Sequence, residues 1–160
     1  MYDENGPAMT DFIHTIGWCS LGETERCRRA FDRGQRNQQP QFGIWTETVD
    51  PEYHPNDMGC YNFLTGAGGA LQGIVHGYFG LKVMDDCLEG RVAWDGDLFV
   101  DKLEMRGLTW RGVKLDVLSN AVTTQVLVTK GCCKVEGGKL CEGESWSGNV
   151  GSTFKIEEAL

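Results

Sequence analysis

The sequence predicts an α+β fold with helices in the first half and an antiparallel, sandwich-like sheet in the second. Three observations carry this. Apolar residues recur at helical i, i+3, i+4 spacing up to about residue 80 and not beyond it. After Gly80 short runs alternate apolar and polar residues between turn dipeptides. The 160 residues, 41% hydrophobic and 24% charged, have the composition of a soluble globular chain with room for one ordinary domain or two small layers.

Asn5, Gly6 and Pro7 stand where a helix start is written, and Met9, Phe12, Ile13 and Ile16 follow on one face. This predicts a first helix to about Leu21, ended by Gly22. A second helix opens at Glu23, with Cys27, Ala30 and Phe31 as a narrow apolar stripe among Arg26, Arg28, Arg29, Arg33 and Arg36. Those arginines read as a solvated face that complements the helix dipole, in preference to an anion site.

From Gln38 to Cys60 the helical period vanishes, and Pro40, Pro51, Pro55, Gly43 and Gly59 mark a long irregular connection. Connections of this length inside a compact domain lean toward function. A third helix is predicted from Tyr61 to Tyr78, with Gly66, Gly68, Gly69 and Gly73 in its interior. Each glycine costs a helix about 1 kcal/mol relative to alanine, so four of them imply close helix packing, a substrate-facing wall or a stretch that is not plain helix.

Strands are predicted at Leu81–Met84, Leu98–Met105, Leu108–Trp110, Val113–Val117 and Thr123–Val128, with Asp95-Gly96 and Arg111-Gly112 as hairpin connectors. Beyond Lys130 the chain is rich in glycine and charge, and its order is expected to be marginal until Phe154 or Ile156 docks.

Lys and Arg total 15 against 23 Asp and Glu, a formal charge of −8, so the cationic field that nucleic acid and anionic membranes require is missing. No run resembles a signal peptide or a membrane span. Whether further sequence precedes Met1 is left open, and a cytoplasmic setting is favoured over others. The seven cysteines lack the spacing of a structural zinc site, and no metal or other cofactor is expected. Free thiols are the default reading, with a bridge from Cys141 to Cys132 or Cys133 as the alternative in an oxidising compartment. No phosphate loop and no nucleophile elbow occur.

The segments GPAMTDFIHTIGWCSLGE, FGIWTE, YNFLTGAGGALQGIVHGYFGLKV and EMRGLTWRGVKLDV, in that order, resemble the end of a glycoside hydrolase family 65 enzyme. The similarity is to the acid trehalase-like and protein-glucosylgalactosylhydroxylysine glucosidase branch, and it covers roughly residues 5 to 130. It implies that residues 1–80 are the terminal helices of a catalytic (α/α)6 barrel, that 81–130 form a small antiparallel β-sandwich domain, and that 131–160 are a glycine- and charge-rich tail. It also implies an inverting hydrolase of an α-glucosidic bond, of trehalose or glucosyl-galactose type, whose general acid lies upstream.

Inversion needs one carboxyl group to protonate the leaving oxygen and another to deprotonate water on the opposite face. The resemblance assigns the second role to Glu47, which stands in the W-T-E segment ahead of the glycine-rich helix. The residues themselves add an aromatic neighbour, Trp45, whose ring suits a sugar face. Taken alone, a loop glutamate is more often simply solvated. Phe42 and Trp45 are candidates for a sugar platform, against a commoner role as core. Thr46 is a candidate substrate contact, as is Gln72, although Gln72 with His76 more simply forms a satisfied buried pair. Family 65 phosphorylases hold phosphate where the hydrolases keep the carboxylate. Charge at Glu47 would repel phosphate, and Thr46 and Thr48 are a weak cradle.

The expected partner is therefore a carbohydrate, with neither nucleic acid nor membrane. The chain alone is expected to be inactive, because one carboxylate cannot supply both proton transfers. The alternative is a non-catalytic module that binds carbohydrate or protein. An uncovered helical face at Phe12, Ile16, Trp18, Leu64 and Leu71 would then drive self-association or association with the absent barrel.

Overall fold

The computed structural model describes residues 9–39, 41, 43–48, 59–93 and 102–159. The predicted helix start at Asn5-Gly6-Pro7, Phe42, the Asp95-Gly96 connector and the first residues of the strand expected from Leu98 lie outside the described residues. The chain divides into two compact units, Met1–Tyr78 and Phe79–Leu160. Among the described residues no helix is long and apolar enough to cross a membrane.

In the first unit, α1 (Met9–Ser20) and α2 (Thr24–Gln35) form a helical hairpin. Gly22 at φ +76° makes the left-handed turn between them. Its N–H reaches the Cys19 carbonyl and the Glu23 N–H reaches that of Trp18, so two orphan carbonyls of α1 are satisfied. A disulfide, Cys19–Cys27, staples the hairpin, and Asp11 of α1 accepts from Arg33 Nε of α2 at 2.6 Å. The predicted solvated arginine face is thus corrected at one position. Arg26, Arg28 and Arg29 pair with Glu23, Asp32 and Glu25 on the helix surface, whereas Arg33 turns inward to the buried Asp11.

Strands β1 (Gln38–Gln39) and β2 (Ile44–Trp45) pair antiparallel within the connection that reads as irregular in sequence. Next comes α3 (Leu64–Gln72), which continues without a break into a π-helical turn, Gly73–Tyr78. The glycines explain themselves in the packing. A methyl at Gly69 would stand 3.1 Å from the Phe12 side chain, one at Gly73 3.4 Å from Phe31, and one at Gly77 3.4 Å from Thr15. Gly34 of α2 closes the same hole, because a side chain there would meet the Phe12 ring at 2.7 Å. Phe12, fully buried, is therefore a phenyl key in a lock of glycines, and the core around it holds Trp45 and Ala70 with Phe31, Phe63 and Ala67 against them. Close helix packing holds, and so does the expectation of a stretch that is not plain helix, since Gly73 opens the π-helical turn.

The second unit is two antiparallel sheets. One has the order β10-β7-β6-β5, from β5 (Lys102–Trp110), β6 (Val113–Asn120), β7 (Thr123–Lys130) and β10 (Ser145–Asn149). The other has the order β3-β4-β11-β8-β9, from β3 (Lys82–Val83), β4 (Cys87–Gly90), β8 (Cys132–Val135), β9 (Gly138–Cys141) and β11 (Phe154–Glu158). Alternation decides the inner faces: Val113, Leu115 and Val117 on β6 and Val126 and Val128 on β7 are buried. Trp146 of β10 and Phe154 of β11 bring aromatic rings from the two sheets to 5.9 Å.

Arg111-Gly112 is the expected two-residue turn, with φ +45° and +82° and Trp110 paired to Val113. Two predicted strands, separate in the sequence reading, are one: β5 runs through a bulge between Met105 and Leu108, and Asp116 Oδ1 takes the Gly107 N–H at 2.8 Å. The segment after Lys130 forms β8 to β11, and Phe154 and Ile156 are both fully buried. The default of free thiols is corrected for four cysteines, since Cys132 and Cys141, paired across β8 and β9, form a second disulfide and Cys60, Cys87 and Cys133 remain free. Of the two neighbours Cys132 and Cys133, only the former faces the bridge; the alternation of a strand sends the latter into the core.

Candidate active site

Trp45, Thr46 and Glu47 leave β2 and run toward the start of α3. Three anchors set their path. The Trp45 carbonyl accepts from the Phe63 N–H at 2.7 Å, next to the helix start. Thr46 exchanges backbone and side-chain bonds with Asn37: its N–H donates to the Asn37 carbonyl at 2.9 Å and its hydroxyl to the same oxygen at 3.3 Å. Asn37 answers with its carboxamide, Nδ2 donating to the Thr46 carbonyl at 3.3 Å and to the Glu47 carbonyl at 3.0 Å.

Beyond that clamp, Glu47 meets Gly59 and Cys60. Its N–H donates to the Cys60 carbonyl at 3.1 Å, and its Oε2 accepts the Cys60 N–H at 3.2 Å. Gly59 sits at φ +66°, and a Cβ built on it would lie 2.5 Å from Glu47 Oε2 and 2.8 Å from Glu47 Cβ. Glycine is thus required twice over, by the backbone angle and by the carboxylate lying against it. The second carboxylate oxygen has no protein donor among the described residues. A half-buried carboxylate held by a backbone N–H through one oxygen, with no donor on the other among the described residues, has the form of a proton acceptor for water.

The remaining predicted site residues fall elsewhere. Trp45 is a core residue: only 9% exposed, it packs edge-on against Phe12 and donates from Nε1 to the Gly34 carbonyl at 3.1 Å. That geometry corrects the sugar-platform expectation, because neither ring face is presented to solvent. Thr46 is equally corrected as a substrate contact. It is fully buried, and its hydroxyl is taken by the Asn37 and Thr48 carbonyls. Gln72 is exposed at the far end of α3, eight residues or about 12 Å along the helix from its start beside Trp45. His76 is exposed as well, so the expected buried pair does not form. Phe42 lies outside the described residues.

Asn37, Gly59 and Cys60 are the neighbours of Glu47 that sequence reasoning did not single out. Gly59 alone left a trace, as one glycine among several in the long connection. Asn37 at a helix end reads as ordinary polarity until the fold buries it.

Comparison with known proteins bears on this arrangement. No family model matches the chain. It is 34% identical over 128 residues to the protein-glucosylgalactosylhydroxylysine glucosidase of Danio rerio, covering 80% of this chain and 18% of that protein. It is 35% identical over 126 residues to the one of Gallus gallus, covering 79% and 17%. The chain thus spans about a fifth of the length of the curated relatives it matches. A solved structure from the human microbiome, described as a kojibiose phosphorylase, shares the fold with a TM-score of 0.62 at 14% identity, over 91% of this chain and 20% of that one. By these matches the chain is a homologue of part of the protein-glucosylgalactosylhydroxylysine glucosidases, consistent with the C-terminal part of a glycoside hydrolase family 65 protein.

Proposed function

We propose that the chain is the C-terminal portion of an inverting glycoside hydrolase that cleaves an α-glucosidic bond, with Glu47 as general base and the general acid supplied by preceding polypeptide. The observation that carries this reading is the held Glu47 carboxylate, one oxygen on the Cys60 N–H and the other without a protein donor among the described residues. The relatives' name adds the substrate class, a glucosyl-galactosyl unit on hydroxylysine, and trehalose-type disaccharides are the next choice. In this reading residues 1–80 are the last helices of an (α/α)6 barrel, 81–130 a β-sandwich domain and 131–160 its continuation. Water attacks the anomeric carbon as Glu47 removes its proton, and the glucose released has inverted configuration. Hydrolysis is favoured over phosphorolysis because an anionic Glu47 repels phosphate from the place it would occupy.

The test is glucose release from a glucosyl-galactosyl substrate by the longer polypeptide that contains these 160 residues. Glu47→Gln should lower kcat by about 100-fold or more. Undiminished turnover would remove Glu47 from the mechanism. The 160 residues alone should release no glucose.

One observation favours the non-catalytic alternative. Leu64 and Leu71, at 74% and 66% exposure, leave an apolar stripe on α3, and Ile13 and Leu21 are also exposed. A module that docks on a protein partner would present such a stripe.

A further inference from the structure

The direction of the Glu47 side chain is set from two sides by residues that have no chemistry of their own to perform. On one side Asn37, 5% exposed, spans two consecutive peptide groups, its carboxamide donating to the carbonyls of Thr46 and Glu47. Two donors from one planar group to adjacent carbonyls fix both the position and the rotation of that stretch of backbone, and with them the Cα–Cβ vector of Glu47. On the other side Gly59 leaves room for the carboxylate to lie against it, since a Cβ there would fall 2.5 Å from Oε2. The next N–H, that of Cys60, pins Oε2 at 3.2 Å. Neither residue is needed to fill the core, which centres on Phe12, Trp45 and Ala70.

We infer that Asn37 and Gly59 are positioning residues that aim the Glu47 carboxylate, Asn37 through the backbone and Gly59 by leaving the space the side chain occupies. This rests on the reading of Glu47 as general base. Loss of the Asn37 donors frees the Thr46 and Glu47 carbonyls to rotate. A methyl at residue 59 pushes the carboxylate off the Cys60 N–H. In both cases the proton acceptor leaves its alignment with the attacking water.

The experiment uses the longer polypeptide containing this chain, with glucose release as the readout. Asn37→Ala and Gly59→Ala should each lower kcat about 10- to 100-fold, the scale of loss that an ångström of misplacement produces, with KM changed by less than about threefold. In a Glu47→Gln background neither should lower the residual rate further, because both act through that carboxylate. A general structural defect would instead depress the rate in both backgrounds. Wild-type kcat in both single variants, or losses that multiply with that of Glu47→Gln, would overturn the inference. If Glu47→Gln itself turns over at the wild-type rate, the assignment of the base falls, and that result is distinct from a failure of the positioning claim alone. Should Asn37→Ala not accumulate as folded protein, Gly59→Ala, on a partly exposed loop, decides the matter.

Discussion

Asp11 shows how a single residue can be paired and still strained by its surroundings. Burial pushes its carboxyl above the ordinary range, and the hydrogen bond and charge of Arg33 offset part of that, with Arg36 and His14 adding smaller favourable charge. Because the folded-state value exceeds the unfolded one, this group's contribution to stability is full below the unfolded value and is lost as pH rises through the folded one. The stability of the wild type relative to Asp11→Asn should therefore fall as pH rises through and above the ordinary carboxylate range, measured from urea unfolding midpoints. A rise over that range would mean that the Arg33 pair outweighs desolvation. The free thiols give a second expectation at this scale. Burial first and the nearby Asp86 second raise the Cys87 thiol, and burial raises that of Cys133, whereas Cys60 is exposed. A thiol-reactive dye should label one cysteine rapidly in the native chain, two more after unfolding, and the remaining four only after reduction. Fast labelling of three would disprove the burial of Cys87 and Cys133.

Neighbouring glycines of α3 have opposite environments, which makes this element its own control. A methyl at Gly68 meets nothing within 4 Å, so Gly68→Ala should raise the stability of the isolated chain by about 1 kcal/mol through helix propensity alone. A methyl at Gly69 meets Phe12, whose ring is already gripped by Gly34 and Gly73, so Gly69→Ala should cost about 1–3 kcal/mol despite the same propensity gain. Denaturant unfolding of the two variants checks both signs, and equal effects would remove the lock around Phe12. The helical period revealed α1 and α2 because each buries one stripe. It placed the start of the third helix three residues early, at Tyr61 where the structure begins at Leu64, since aromatic residues ahead of a helix look apolar on paper. Strands β1 and β2, two residues each, carry no period at all, and β4, buried on nearly every residue, has no alternation to find.

At the scale of the molecule, the exposed residues match those the sequence suggested only in part. Leu64 and Leu71 are exposed as expected, Ile16 and Trp18 are half-buried and Phe12 is fully buried, while Ile13 and Leu21 are among the further exposed apolar residues. A helical pattern shows that a face is apolar but not which neighbour covers it. The 160-residue chain should consequently self-associate at micromolar concentration and bind a hydrophobic dye. The double variant Leu64→Lys with Leu71→Lys should reduce both while changing stability by about 0.5 kcal/mol or less. Light scattering that shows a monomer in the unaltered chain would count against an unpartnered helical face.

Local information was enough for the division into a helical half and a β half, the Gly22 helix stop and the Arg111-Gly112 hairpin, because turns and periodicity are written in adjacent residues. What lay beyond it was every relation between distant ones. Asn37 reaches across the β1–β2 hairpin to Thr46 and Glu47, Gly59 lies against a side chain twelve positions earlier, Trp45 turns into the core, and Cys19 finds Cys27. Polar residues acquire such roles only when folding removes water from around them and leaves buried donors and acceptors to pair within the protein, and two cysteines bridge only where the fold brings them together.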